Sequence, residues 1–209
     1  MKEIENPETV ERYMDFFLEN LPHRECIDLF LVVLGERPAC LVMDPDSEER
    51  EKLAEFCREF GLSFREQESR NESLLSSSGF FISRDESRFK HLKDSGGRFY
   101  GFSDRDVGKF LGFPEEDIEF FAENIEDGPL EVKTRKVVED LVSHGEIDLE
   151  DAKFVQLTTY VPRPEEENVK DALETGKGYR NALLEFDQKF DSSTGRRVLE
   201  EFFGQVLEE

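Results

Sequence analysis

The chain has 209 residues, with 50 acidic side chains against 27 basic ones, a formal net charge of −23, 37% hydrophobic residues, 20 Phe and no Trp. This much apolar material excludes disorder by composition, and the length allows one core, or a core with a small helical lobe. The charge opposes a nucleic-acid partner, because binding to phosphates needs clustered Lys and Arg, and the basic residues here are scattered among acids. The longest apolar run, Leu29-Phe-Leu-Val-Val-Leu34, is far short of the roughly 20 residues that cross a bilayer, so no membrane partner is expected. The start of the chain lacks the basic-then-apolar pattern of a signal peptide, and three Cys form no pairing pattern. The expectation is therefore a soluble cytoplasmic protein with reduced thiols. Glu (34) over Asp (16), with few Lys (11), also suits adaptation to high salt, where screening relieves self-repulsion.

Asn6-Pro7 opens a helix carrying Val10, Met14, Phe17, Leu18 and Leu21. Ile27–Leu34 reads as strand or buried helix, which periodicity leaves open, and Ala39–Met43 as a buried strand. Asp46-Ser47 caps an amphipathic helix with Leu53, Phe56, Cys57 and Phe60 on its stripe, ended by Gly61. Leu62–Phe64 and Phe80–Ile82 are further strands, separated by a Ser-rich loop over 69–78. A helix with Phe89 and Leu92 follows. Beyond about residue 126 the pattern is mainly helical. Pro129 starts one helix and Pro164-Glu-Glu-Glu167 another. Tyr179, Ala182, Leu183, Phe186 and Phe190 mark a further one. The last, after Ser192 or Ser193, carries Val198, Leu199, Phe202, Phe203 and Val206. Lys153–Val161 is ambiguous, with strand-like alternation. The expected fold is α/β or α+β: a small mixed sheet with flanking helices over 1–125, and a mainly helical region over 126–209, packed on the first as one unit or standing beside it.

The best-defined segment is 103–125. Ser103-x-x-Asp106 has the form of a capping box, and Val107, Phe110 and Leu111 lie on one helical face. Gly112 stands where a left-handed residue is wanted, Phe113 bridges the turn, and Pro114 opens the next helix with Glu115, Glu116 and Asp117 in its first turn. This is an αα corner. Asp106-Val-Gly-Lys-Phe-Leu-Gly-Phe-Pro-Glu-Glu-Asp-Ile118 resembles the F-L-G-Y-P-x-x-D-V signature of a bacterial family of uncharacterised small proteins. Gly108, Phe110, Leu111, Gly112, Pro114 and Asp117 match the motif, and Phe113 replaces its Tyr. Arg105–Gly108 stands where that family often has H-E-I-G, so the His is absent. Leu34-Gly-Glu-Arg-Pro-Ala39 is similar to a Gly-x-Lys-Pro-Ala piece of the same family. The likeness runs over about 34–121; it implies an α/β fold and carries no activity. The corner also resembles a DNA-binding helix-turn-helix, but three carboxylates would open its recognition helix beside the phosphates.

His23, Cys26, Cys40 and Cys57 hold the atoms of a Cys₃His zinc site. Without C-x-x-C knuckles the spacing is unspecific, and no metal or cofactor is expected. His91 and His144 sit near helix ends, where the dipole favours them. Thr175-Gly-Lys-Gly178, Ser76–Gly79 and Ser95–Gly97 are too short or too loop-like for a phosphate cradle. The reading leans away from an enzyme, toward a binding or regulatory module acting through a protein partner or self-association, with Phe202 and Phe203 as a candidate docking face. The alternative is an enzyme with a small-molecule site near 100–117, whose polar groups would be Tyr100, Ser103, Arg105 and Asp106.

Overall fold

A computed structural model describes residues 4, 6–68, 78–97, 100–124, 130–158 and 160–208. The fold is mixed α+β, with a three-stranded antiparallel sheet and a helical C-terminal region. Two compact units divide the chain: residues 1–112 with 182–209, and residues 113–181.

In the first unit, α1 (Pro7–Asn20) begins on the Asn6 side chain, which accepts from Thr9 N. The apolar run resolves as helix α2 (His23–Leu34), ended by Gly35 at φ 88°. Leu29–Leu34 are all buried, so no single apolar face imposes a period on them. β1 (Ala39–Met43) follows. Next comes α3 (Ser47–Glu59), opened by a reciprocal capping box between Asp46 and Glu49. β2 (Ser63–Glu68) is longer than the expected Leu62–Phe64, and β3 (Ser78–Ser83) lies between β1 and β2. The Ser-rich stretch 69–77 lies outside the described residues. A 3-10 helix over Glu86–His91 replaces the expected helix around Phe89. Then comes α4 (Asp104–Leu111), with Ser103 as its cap.

The register places Cys40, Val42, Phe64, Phe80 and Ile82 on one face of the sheet and Ala39, Leu41, Arg65 and Phe81 on the other. On the second face Phe81 packs with Phe89, Leu92, Tyr100, Phe102, Val107 and Phe110. α1 and α3 share a cluster of Tyr13, Phe17, Phe56 and Phe60, with Phe17 and Phe56 edge to face at 5.3 Å. Two arginines close helix ends with their side chains. Arg84 donates to Val32 O and Val33 O, and Arg88 to Phe110 O and Lys109 O at 2.6 Å each. α9 (Thr194–Glu208) returns to this unit and packs on α1 and α2. Its first amides are held by Asp187, which accepts from Gly195 N and Arg196 N at 2.8 Å each.

The second unit holds α5 (Glu115–Asn124), α6 (Leu130–Ser143), the short α7 (Leu149–Ala152), a 3-10 helix over Lys153–Thr158 and the first part of α8 (Glu166–Phe190). Pro129 lies outside the described residues. Of the strand-like stretch 153–161, Lys153–Thr158 is a 3-10 helix, which buries Phe154, Val155, Leu157 and Thr158, and Thr159 lies outside the described residues. The two helices expected around Pro164 and Tyr179 are one 25-residue helix. Gly176 sits within it against the Phe154 carbonyl: a Cβ there would lie 1.8 Å from that oxygen.

Candidate functional site

The predicted polar quartet divides. Ser103 and Asp106 serve α4: Ser103 Oγ accepts from Asp106 N at 3.2 Å and donates to Asp106 Oδ2 at 2.6 Å. Arg105 is a solvent-facing member of the same helix. Tyr100 goes elsewhere. It is 8% exposed, at φ 52°, with its ring against Gly79 of β3 and its hydroxyl donating to Asp44 Oδ1 over 3.4 Å.

Around Tyr100 the chain gathers a polar cluster that sequence reading missed. Asp44, just past β1, also has positive φ (51°). Its backbone N donates to Ser78 O at 2.7 Å and its Oδ1 accepts from Ser78 N at 2.9 Å, so it closes the end of the β1–β3 ladder. Strand alternation then fixes which way each backbone group points. Asp44 bonds toward β3, so its neighbour Met43 points to the outer edge of β1. There Met43 N meets Glu25 of α2, whose Oε1 accepts at 3.2 Å. Glu25 is 5% exposed, and its Oε2 is buried without a hydrogen-bond partner; Ser78 Oγ shares that condition. Burial raises the Glu25 carboxyl to about 7; the Met43 amide opposes this, while Asp28, Glu49 and Asp44 add to it. Burial, reinforced by Asp44 and Glu25, raises the Tyr100 phenol as well. The only local signals were an acid in the first turn of an apolar helix and a Tyr beside glycines, neither of which specifies a cluster.

The motif residues have structural work. Gly112 takes φ 84° at the end of α4, its N–H bonded to Gly108 O, where a Cβ would lie 2.5 Å from Pro38. Phe110 is fully buried in the sheet core and Val107 nearly so, whereas Leu111 is partly buried against it. Pro114 offers its carbonyl to Ile118 N, and the Phe113 ring packs tilted against Tyr160, centroids 5.2 Å apart. Asp117, 6% exposed, accepts from Arg163 N at 3.0 Å; burial raises its carboxyl, against the pull of that amide and of the Arg163 charge. Glu116 pairs with Arg163 too, which uses one of the acids at the start of α5.

The four zinc candidates play other parts. His23 is half-buried and its Nδ1 lies 2.9 Å from Glu201 O; Cys26 Sγ donates to Phe17 O at 3.2 Å. Cys26, Cys40 and Cys57 are buried free thiols. Burial raises all three, Cys57 to about 12, which opposes the thiolate that a metal needs. Among the described residues no cluster of three His, Cys, Asp or Glu has the arrangement of a metal site. Thr175–Gly178 lies inside α8, and His144 is turned to Asp140 O at 2.8 Å. Phe202 is buried; Phe203 is partly exposed and packs on it at 5.2 Å. A cleft of about 200 Å³ in the first unit is lined by Leu34, Glu36, Ala182, Phe186, Lys189 and Phe190 among others, none of them from the predicted quartet. Among the described residues no helix is long and apolar enough to cross a membrane. Against protein-family models, curated proteins and solved structures, the chain finds no match.

Proposed function

We propose that the chain is a non-enzymatic binding or regulatory module that works through protein contacts, and that it presents the outer edge of β2 to an extended partner segment. The observation that carries this reading is the contrast between the sheet's two edges. On β1 the outward amide of Met43 is taken by Glu25. On β2 the strand is mostly exposed, and the same alternation turns the backbone groups of Phe64, Glu66 and Glu68 away from β3. Among the described residues no strand lies beyond β2. An edge strand with no further strand beside it is a template for one, with main-chain bonds giving affinity and side chains giving selectivity. Phe64, 37% exposed, supplies an apolar contact, and Glu68 favours a basic residue opposite it, while the Glu66 carboxylate is paired with Arg50 at 3.1 Å.

The net charge of −23 fits a cytoplasmic, high-salt setting, where short-range backbone bonds persist while long-range charge effects are screened. The likeness of 106–118 to the uncharacterised bacterial family enters this proposal as a shared scaffold corner.

The test compares wild type with Glu66→Pro in affinity capture with mass spectrometry. Proline removes one outward N–H at an edge position where its ring is tolerated, and Glu66→Ala, which keeps the N–H, is the control. A partner kept by wild type and Glu66→Ala but lost by Glu66→Pro, at unchanged unfolding midpoint, supports the reading. Equal capture by all three, or no partner for any, overturns it. Turnover of a small molecule dependent on Tyr100, or retardation of duplex DNA, would then select one of the two alternatives.

A further inference from the structure

We propose that Glu25 is a proton-operated clasp on the outer edge of β1: uncharged, it holds the Met43 amide and closes the seam between α2 and β1; charged, it loosens that seam.

The geometry is that of a carboxyl placed for its neutral form. The side chain is 5% exposed, one oxygen has a single backbone donor, and the other is buried without any partner. A buried carboxylate needs several donors or a cation to offset its desolvation. The charged groups that act on it are Asp28 on its own helix, Asp44 after β1 and Glu49 at the start of α3, all of them acids. Their own partners lie elsewhere: Asp28 pairs with Arg37 at 2.7 Å, Glu49 holds Asp46 N, and Asp44 holds Ser78 N and the Tyr100 hydroxyl. The remaining titratable neighbours are the Tyr100 phenol and the Cys26 and Cys40 thiols, and ionised Glu25 disfavours the charged form of each. The Met43 amide favours the charge, but burial and the three acids outweigh it, so a proton is the ligand that fits.

The folded-state value, about 7, stands above the ordinary 4.5. The folded chain therefore binds this proton more tightly than the opened one. The stabilisation is complete below the lower value and is lost as the pH rises through the higher one. Between the two, the opening constant of the seam rises on the order of tenfold per pH unit.

The experiment is amide hydrogen exchange of the full chain from pH 5 to 8.5, corrected for intrinsic rates, together with the carboxyl carbon shift of Glu25. Expected in wild type are a carboxyl titration near neutrality and a fall in Met43 protection through the same range, while Glu25→Gln shows a flat profile. A Glu25 carboxyl that titrates in the ordinary acid range overturns the proposal, whether or not Glu25→Gln folds. A Met43 protection loss that is absent in wild type, or equal in Glu25→Gln, overturns it too.

Discussion

Replacing Asp187 by alanine removes the group that starts α9 from outside that helix. The carboxylate is 7% exposed and accepts two backbone donors at 2.8 Å, from Gly195 and Arg196. A hydrogen bond to a charged group contributes about 1.5–3 kcal/mol, a lost helix cap costs about 1 kcal/mol, and the two descriptions overlap. Some of the helix start survives, because Ser192 Oγ still accepts from Thr194 N at 3.0 Å. The expected loss is therefore about 2–4 kcal/mol. At roughly 2–4 °C per kcal/mol for chains of this size, Tm falls by about 5–15 °C. Asp187→Asn keeps one acceptor and should lose about half as much. Urea unfolding at fixed pH measures both variants, and hydrogen exchange at Gly195 and Arg196 locates the effect. A loss below about 0.5 kcal/mol for Asp187→Ala would refute the assignment of Asp187 as the anchor of α9.

Two glycines on α8 give opposite outcomes two residues apart. Gly176→Ala drives a Cβ to 1.8 Å from the Phe154 carbonyl oxygen and should destabilise the 113–181 unit by about 2 kcal/mol or more, read by urea unfolding. Gly178→Ala meets nothing within 4 Å and should stabilise by up to about 1 kcal/mol, through helix propensity alone. Tyr100 should ionise above the ordinary phenol range, because burial and the nearby Asp44 raise its phenol. The sign follows: the folded chain keeps that proton, so its stabilisation holds below the ordinary value of about 10 and is lost as the pH climbs beyond it. Absorbance at 295 nm follows the titration, and Tyr100→Phe should delete the late step. The Glu66→Pro and Glu25→Gln experiments complete the set.

The parts of the fold legible in the sequence are those governed by neighbours in the chain. Asn6, Asp46 and Ser103 cap their helices as their side chains suggest, and Gly112 ends α4 in the left-handed conformation that its place in the motif requires. β1 and β3 are seen from short apolar runs, although β3 extends beyond its apolar centre to Ser78 and Ser83. What stayed hidden depends on distant partners. The run Leu29–Leu34 is buried on every side and so carries no period. The need for glycine at 176 comes from the Phe154 carbonyl, 22 residues earlier in the chain. The start of α9 reads as a Ser cap, yet two of its amides belong to a carboxylate on the preceding helix. Of the polar groups singled out around Tyr100, the structure keeps Tyr100 and supplies Glu25, Asp44 and Ser78. These are 75, 56 and 22 residues away along the chain, and pairing across β1 and β3 brings them together.

The sealed thiols of Cys26, Cys40 and Cys57 act as a clock. Each is shielded and held in its protonated, unreactive form while the surrounding core stays shut. An alkylating reagent can mark them only when a fluctuation lets it in, so the pace of labelling counts excursions of the native molecule, and the order in which the three sulfurs are marked records which wall gives way first.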